Sequence, residues 1–306
     1  MSFDLYFAGS YSPIADKILM ERGACRLYSQ LNDRTRGQMW LDYSKQNKNV
    51  KVFVDSGAFS AWSKGKTIDV DDYIKYINEN TNELELFASV DNIPGELTRT
   101  PTHEEVKKSP ILSWENYLYM RERVKEKDKL LPVFHIGEDF KHLQNMLETK
   151  LDGKHIPYIA LGGTVGLTAT IKDNWYNTCF KVIRQSSNPN VKTHAFGMTS
   201  LNILEKYPFT SADSTSWIMT SANGNIFTPY GNICMSKVSQ DKPNHITKLP
   251  KSVQHNIRKF IEQYGVTVEQ CMEDYKARSV VNINYLQDWA ENYEYKGTNK
   301  YQKRLF

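Results

Sequence analysis

The sequence predicts an α/β protein whose core is a (βα)8 TIM barrel and whose C-terminal part is a helical extension. Three observations predict this fold. Eight short β-rich apolar runs alternate with amphipathic stretches along the 306 residues. Several runs, such as VKVFVD and LELFASVD, are apolar nearly throughout, which is typical of strands buried on both faces. The composition, 40% hydrophobic and 24% charged, is that of a globular chain with a sizeable core.

The candidate strands and helices follow one another in regular order. We expect strands at residues 4–8, 25–31, 50–55, 84–91, 131–137, 158–163, 192–197 and 209–213. The amphipathic stretches predict helices at residues 70–79, 113–127, 139–150, 171–185 and 200–206. An open doubly wound sheet is the alternative. The turn after the first strand, FAGSYSP, lacks the G-x-G-x-x-G phosphate loop that is common in such sheets.

The chain is expected to divide after the last strand. Residues 1–217 form the predicted barrel, and residues 218–306 form a loop and helical cap. Turn residues dominate 218–248, which predicts a loop. Three amphipathic stretches then predict helices at 251–264, 268–278 and 280–293.

The composition also excludes several classes of protein. No apolar run approaches the roughly 20 residues that a membrane span requires, so no membrane partner is expected. The N-terminal segment lacks a basic start followed by an apolar stretch. The four cysteines lie far apart and form no Cys-x-x-Cys pair. These features predict a protein of the reducing cytoplasm without a zinc clasp.

Basic residues cluster late in the chain. Overall, 39 basic residues against 35 acidic ones give a net charge of +4. Between residues 214 and 259, six basic residues stand against one acid, a local net charge of +5. Such a surface predicts a polyanionic partner, with an ordinary solvated face as the alternative. The six residues are Lys237, Lys242, Lys248, Lys251, Arg258 and Lys259.

Aspartates end three of the apolar runs. Asp55 follows VFV, Asp91 follows ASV, and Asp213 follows TSA. Each one alone is a suitable cap for the following helix. A carboxylate at the end of a buried strand is costly to desolvate, however, and the ends of barrel strands are where such folds place their chemistry. Three aspartates at one rim, beside glycine turns, therefore predict a functional site.

The predicted strand ends also hold two histidines and three glycines. His135, Gly162, Gly163, His194 and Gly197 also lie at predicted strand ends. Two carboxylates facing one pocket can act as nucleophile and general acid/base at an anomeric carbon. A third carboxylate can accept hydrogen bonds from the N1–H and 2-amino group of guanine, and a glycine brings a backbone N–H close to a carbonyl.

Aromatic residues beside these motifs complete the predicted pocket. Phe59 and Phe196 are candidates for packing against a base, with a place in the core as the alternative for each. Ser56 and Gly57 form the turn that aims Asp55. No His-x-His, His-Glu-x-x-His or G-x-S-x-G motif is present, so neither a metal nor another cofactor is expected, nor a serine nucleophile.

Taken in chain order, the segments at these predicted strand ends resemble the tRNA-guanine transglycosylase superfamily, a (βα)8 group that exchanges guanine for a 7-deazaguanine. The family's Asp-Ser-Gly-Gly-aromatic motif is similar to DSGAF at 55–59, and its later strand-end aspartate is similar to Asp91. Its glycine-pair turn resembles LGGTVG at 161–166. Its Met-Gly turn resembles Phe196-Gly197, and its nucleophile segment resembles SADS at 211–214.

The resemblance implies a role for each matched residue. Asp213 would be the nucleophile, Asp55 the general acid/base and Asp91 the reader of the guanine edge. Further substrate contacts would come from Ser56, Phe59, His135, Gly162, Gly163, Phe196 and Gly197. Nucleic-acid contacts are expected from the six basic residues and from Trp217, four residues past the nucleophile, for which a packing role is the alternative.

The chain also departs from the family pattern. The tRNA enzymes carry a late Cys-x-Cys-x-x-Cys and a distal His that bind structural zinc, whereas the second half here has Cys234 and Cys271 apart from Cys179. In place of their glutamine–glycine motif the chain has Ile136-Gly137, and the adjacent His135 is the candidate to replace the glutamine as the contact to O6. The chain therefore resembles the compact branch, known from phages and bacterial modification clusters, that inserts 7-deazaguanines into DNA.

The expected partners are thus a polynucleotide, DNA rather than RNA, and a free 7-deazaguanine base. A second copy of the chain or a helper subunit is also compatible with the resemblance. Three other functions remain open: action on tRNA, a glycoside hydrolase or N-glycosidase acting on a small substrate, and a catalytically silent barrel that binds nucleic acid within a modification complex.

Overall fold

The computed structural model describes residues 3–9, 12–96, 98–198 and 200–297. The strands are β1 Asp4–Ala8, β2 Cys25–Ser29, β3 Val52–Asp55, β4 Leu84–Ala88, β5 Leu130–Leu131, β6 Val133–His135, β7 Lys150–Leu151, β8 Lys154–His155, β9 Tyr158–Gly162, β10 Lys192–Ala195, β11 Ser211–Ser214, β12 Asn225–Thr228 and β13 Gly231–Cys234. The helices are α1 Pro13–Glu21, α2 Gln30–Gln46, α3 Ala58–Ser63, α4 Val70–Glu79, α5 His103–Arg123, α6 Phe140–Glu148, α7 Ala169–Gln185, α8 Leu201–Lys206, α9 Ser216–Ala222, α10 Lys251–Glu262, α11 Val268–Glu273 and α12 Tyr275–Glu291.

A nine-stranded parallel sheet forms a nearly closed barrel. Its strand order is β5-β4-β3-β2-β1-β11-β10-β9-β6, and the strands at its two ends are consecutive in the chain with only Pro132 between them. The sheet is held on both sides of this point: Ser89 N donates to Leu131 O at 2.9 Å, and Ala160 N donates to Pro132 O at 2.9 Å. This is not the strand order of an open doubly wound sheet, and the predicted barrel-like α/β fold is confirmed.

Side chains alternate between the inside and the outside of the barrel. Along β1, Tyr6 and Ala8 belong to the inner cluster, while Leu5 and Phe7 pack against the outer helices. The same two-residue period runs through β9, where Tyr158 and Ala160 point inward. The inner cluster is compact and consists of Tyr6, Ala8, Leu27, Phe53, Leu86, Ala88, Leu131, Val133, Tyr158 and Ala160. The barrel is therefore a packed core and not a channel.

Helix α5 begins ten residues earlier than predicted. Thr102 caps it through a capping box, in which its hydroxyl accepts from Glu105 N and the Glu105 carboxylate accepts from Thr102 N. Pro110 lies inside the helix. Ser113, expected at the helix start, is buried mid-helix.

The C-terminal part is more ordered than its turn-rich sequence indicated. The predicted loop at 218–248 contains the end of α9 and an antiparallel hairpin of β12 and β13. The last two helices are separated at Asp274, not at residue 279, because the Asp274 side chain caps α12 by accepting from Lys276 N at 2.9 Å. The hairpin, α10, α11 and the start of α12 share an apolar core of their own, made by Ile226, Ile233, Met235, Ile246, Ile257, Ile261, Val268, Cys271, Ala277 and Val281.

Helix α12 joins this C-terminal unit to the barrel. Its later residues Ile283, Leu286 and Ala290 belong to the main core. On its surface, Arg22 at the end of α1 donates to Asn284 and pairs with Asp288, both at 2.7 Å. The predicted domain boundary at residue 217 falls within α9, the helix that follows the last barrel strand. Over the described ranges, no helix is both long enough and apolar enough to cross a membrane.

Candidate active site

The predicted site residues meet at the carboxyl end of the barrel. Because all nine strands run parallel, their carboxyl ends form one rim. Side chains two residues apart on a strand share a face. Asp55 therefore lies on the inward face with Phe53, and His135 lies there with Val133. In the sheet order β3 and β4 are neighbours, and β6, β9, β10 and β11 follow one another as neighbours.

Asp55 is held by the turn that follows β3. Its carboxylate accepts from Gly57 N at 3.1 Å, and Gly57 adopts φ +82°, which favours glycine. A Cβ on Gly57 would also lie 2.5 Å from Ser29 Oγ. Burial, followed by the negative charges of Asp91 and Asp213, raises the pKa of the Asp55 carboxyl to about 7. The three aspartates are thus close enough to interact electrostatically.

Asp91 is positioned by helix α5. Ser113 Oγ accepts from Asn92 N at 2.9 Å, the Ser109 hydroxyl donates to the carbonyl of Asn92, and Asn116 donates to Val90 O at 3.0 Å. Ser113 therefore fixes the strand-end loop, which explains why it is buried within the helix. Within the described part of the chain, Asp91 Oδ1 is buried and has no hydrogen-bond partner. This oxygen is a free acceptor at the rim.

His135 lies between two carboxylates. Its Nε2 is 3.3 Å from Asp91 Oδ2, and its Nδ1 is 3.3 Å from Glu138 Oε1. Burial acts to lower the pKa of His135, but the charges and hydrogen bonds of Asp91 and Glu138 outweigh it and raise the pKa to about 10. Both ring nitrogens are already occupied, so His135 has no free N–H for a base carbonyl in this arrangement.

Glu138 was missed by the sequence analysis. Gly137, at φ +96°, turns the chain so that Glu138 folds back onto His135, and its second oxygen accepts from His135 N at 3.2 Å. The sequence signal for this contact is the His-x-Gly-Glu spacing directly after a strand. A turn that returns an acid to the preceding histidine leaves no periodic pattern.

The glycine pair lies against His135. A Cβ on Gly162 would lie 3.2 Å from the His135 ring and 3.3 Å from Val133 Cγ1, so the close approach of β6 and β9 favours glycine. Gly163 follows at φ +79°. The structure thus brings Gly162 and Gly163 to the rim beside His135 and Asp91.

Asp213 is buried, with 7% of its surface exposed. Its Oδ1 accepts from Gly197 N at 3.0 Å and contacts His194 Nε2 at 3.2 Å. Gly197 has φ +62° in the predicted Phe-Gly turn. His194, noted as a strand-end residue but given no role, is a second residue that the sequence analysis missed.

The predicted aromatic contacts differ in their placement. Phe59 is 68% exposed at the start of α3, and Phe196 lies beside the rim with its ring 4.6 Å from that of His194. Ser56 is buried, and its hydroxyl oxygen accepts from Ala58 N in the turn. Trp217 is 1% exposed and donates to Ala8 O at 2.9 Å. Trp217 lies on α9 with its ring against β1, which favours the packing alternative over stacking on a base.

The basic residues are spread over the C-terminal unit and partly neutralised. Lys237 pairs with Glu273, and Arg258 pairs with Glu269 at 3.0 Å. The Lys248 ammonium donates to a backbone carbonyl. The paired acids follow the basic stretch in sequence, so counting to residue 259 overstated its charge. Lys242, Lys251 and Lys259 are exposed.

A cavity of about 850 Å³ has none of Asp55, Asp91 and Asp213 in its lining. It is lined by the start of α2, including Gln30 and Arg34, and by residues 67–69 and 72 before and within α4. Gln30 connects the cavity to the site because it donates to Ser56 O at 3.4 Å. The perturbed carboxyl and the buried acceptor are at the rim, so we place the candidate site there.

The rim holds groups of the kind that displacement at a sugar carbon uses. It offers one carboxyl whose pKa lies near neutral pH, one whose Oδ1 is fixed by donors, and a buried acceptor without a partner. Over the residues that the structure describes, no three His, Cys, Asp or Glu side chains are grouped so as to hold a metal ion. No family model matches the chain, and no curated protein matches it at a significant level of similarity.

Proposed function

We propose that the chain is a transglycosylase of the tRNA-guanine transglycosylase superfamily. In this proposal it exchanges guanine in a polynucleotide, DNA rather than RNA, for a free 7-deazaguanine base. The observation that supports this most is the pairing of Asp55 and Asp213 at one rim. Burial raises the pKa of the Asp55 carboxyl to about 7, and the hydrogen bonds that described residues donate to the Asp213 carboxylate end at Oδ1.

The same proposal takes the barrel as a (βα)8 TIM barrel. Strands β5 and β6 then count as one strand interrupted at Pro132, whose missing N–H breaks the ladder. Eight parallel strands result, and each is followed by at least one helix before the next. In barrels of this kind the reacting groups lie at the carboxyl ends of the strands, which supports the rim as the site.

The first step would release guanine. The nucleotide is flipped out of its stack so that C1′ reaches the rim. An oxygen of Asp213 attacks C1′, and the bond from C1′ to N9 of guanine breaks with its electron pair going to the base. Protonated Asp55 supplies the proton that the departing base needs, leaving a glycosyl ester on Asp213.

The second step would insert the new base. N9 of the 7-deazaguanine attacks C1′ from the side that guanine vacated, and its N9 proton passes to the Asp55 carboxylate. The ester bond from C1′ to Asp213 breaks, and the carboxylate is restored. Two displacements retain the configuration at C1′.

Base recognition would rest on Asp91 and the glycine pair. Asp91 Oδ1 is the acceptor without a partner, suited to the N1–H or 2-amino group of guanine. The Gly163 amide is the candidate donor to O6, since both nitrogens of His135 are engaged. His135 then orients Asp91 and does not replace the family's glutamine.

DNA is favoured over tRNA because the C-terminal unit has no counterpart of the zinc-binding cysteine cluster of the tRNA enzymes. Its helices and hairpin pack on an apolar core instead. The exposed residues Lys242, Lys251 and Lys259 are the candidates for phosphate contacts.

The proposal is tested by a base-exchange assay. The protein is incubated with radiolabelled guanine or a labelled 7-deazaguanine and, in parallel, single-stranded DNA, duplex DNA and bulk tRNA. We expect label to enter DNA and not tRNA. Label in tRNA alone would contradict the DNA assignment. Label in neither polymer would contradict transglycosylation and favour a nucleic-acid-binding subunit.

Two variants assign the roles within this reaction. We expect Asp213→Asn to lower guanine exchange by at least about 10³-fold, because an amide cannot form the ester. Asp91→Ala is expected to weaken the preference for guanine by about 1–3 kcal/mol while the fold is retained. Wild-type exchange by Asp213→Asn would show that the nucleophile is a different residue.

A further inference from the structure

A line of buried polar groups runs from Asp213 into the barrel. His194 Nε2 lies 3.2 Å from Asp213 Oδ1, and His194 Nδ1 lies 2.6 Å from Ser211 Oγ. Ser211 Oγ in turn lies 2.6 Å from the Tyr158 hydroxyl. Four residues of three adjacent strands therefore share one hydrogen-bonded chain.

The acceptor at one end of this series of hydrogen bonds determines which group donates in each of them. Oδ1 of an ionised Asp213 can only accept, so His194 must donate from Nε2. With the ring proton on Nε2, Nδ1 accepts from the Ser211 hydroxyl, whose oxygen accepts from Tyr158. Burial raises the pKa of the Tyr158 phenol above its usual value, so Tyr158 remains a donor.

The histidine ring has little freedom to turn. It is fully buried, and three aromatic rings meet it edge-on: Phe196 at 4.6 Å, Phe53 at 4.9 Å and Tyr6 at 6.1 Å between ring centres. With hydrogen bonds at both nitrogens, the ring presents its Nε2–H to Asp213 in one direction.

We propose that His194, held from behind by Ser211 and Tyr158, is a positioning residue that selects the attacking oxygen of Asp213. This inference rests on the proposed transglycosylase function. Among the described residues, the two hydrogen bonds to the carboxylate, from His194 and from the Gly197 amide, both end at Oδ1. Oδ2 is then the oxygen that bonds to C1′.

The same donors would assist the departure of Asp213. In the glycosyl ester, Oδ1 is a carbonyl oxygen and accepts more weakly than a carboxylate oxygen does. Donors aimed at Oδ1 therefore stabilise the restored carboxylate more than the ester. His194 is expected to matter most when the ester breaks.

Kinetics test this role with matched variants. His194→Phe removes the donor, His194→Gln keeps a donor and an acceptor, and His255→Gln on the exposed face of α10 is the control. We expect His194→Phe to lower kcat for exchange about 100-fold and to lower KM for the polynucleotide with it, so that kcat/KM changes little, and to leave more ester at steady state, because only the breakdown of the ester is slowed. His194→Gln should recover most of the loss. A change confined to KM, or no recovery by Gln, would overturn the proposal.

Histidine NMR tests the arrangement without relying on the reaction. Side-chain ¹⁵N–¹H correlations of the free protein at pH 7 report which ring nitrogen carries the proton, and His194→Gln assigns the signal. We expect the Nε2–H form in the wild type and a smaller fraction of this form in Ser211→Ala. An Nδ1–H form would overturn the proposal. The Nε2–H form in a protein that exchanges no guanine would contradict the proposed function alone.

Discussion

At the scale of single residues, the two-residue period of a strand decides which side chains reach the rim. Asp55 lies on the inward face of β3, and Ser211 and Asp213 both lie on the inward face of β11. These positions could be predicted because strand ends are visible in the sequence. Glu138 and Ser113 could not, since one returns through a turn and the other acts from within a helix.

The raised pKa of Asp55 predicts a pH-dependent penalty on folding. The folded protein binds the Asp55 proton more tightly than the unfolded chain does, so stability is lost as pH rises from about 4 to about 7. We expect Asp55→Asn to raise the free energy of unfolding by about 2–4 kcal/mol at pH 8 and to change it little near pH 4. Denaturant titrations at the two pH values measure this. Equal effects at both would contradict the buried-carboxyl account.

His135 predicts the opposite effect in a higher pH range. Its folded pKa of about 10 lies above the unfolded value, so its contribution is complete below about pH 6.5 and lost as pH rises through 10. We expect His135→Gln to lower the free energy of unfolding by about 2–4 kcal/mol at pH 6, because Asp91 and Glu138 lose their shared cation. The difference from wild type should shrink between pH 7 and 10. A constant difference would indicate a packing effect instead.

At the scale of elements, the apolar strands were the easiest to predict and the C-terminal hairpin the hardest. The barrel strands are buried on both faces, so their sequences are distinctive. The hairpin of β12 and β13 is short and rich in turn residues, and its pairing depends on partners elsewhere in the chain. Asn282 of α12 supplies one such partner. Its side chain accepts from Phe227 N at 2.7 Å and donates to Ser221 Oγ at 2.8 Å.

Asn282 is therefore expected to hold the C-terminal unit to the barrel. Asn282→Ala would leave the Phe227 amide and the Trp217 carbonyl without this partner in a buried place. We expect a loss of about 2–4 kcal/mol in the free energy of unfolding. Asn256→Ala, at an exposed position of α10, is the matched control and should change it by less than about 0.5 kcal/mol. Equal losses would refute this role.

At the scale of the whole molecule, the alternation of strands and helices could be predicted from the sequence more accurately than the charge of the folded surface. The alternation of strands and helices depends on local sequence and not on contacts between distant elements. The net charge of a surface also depends on acids brought in from later elements, such as Glu269 and Glu273. The +5 stretch is therefore less basic in the folded protein than its sequence indicates.

The remaining exposed lysines predict a salt-dependent affinity for nucleic acid. Neutralising Lys242, Lys251 and Lys259 together with glutamine should reduce the slope of log K against log salt concentration by about 2–3, since each lost phosphate contact removes about 0.7–0.9. Lys75→Gln on α4 is the control. Fluorescence anisotropy with a DNA oligonucleotide at several salt concentrations measures the slope. An unchanged slope would place the nucleic acid on another surface.

The central claim is that Asp213 forms a covalent bond with the sugar of a polynucleotide. Intact-mass spectrometry under denaturing conditions tests it most directly, with wild type and Asp213→Asn each incubated with a guanine-containing DNA oligonucleotide. We predict a wild-type species heavier by the oligonucleotide mass less one guanine, absent from Asp213→Asn and lost when free base is added. An adduct that persists in Asp213→Asn would contradict the assignment, and wild type without any adduct under these conditions would contradict covalent catalysis.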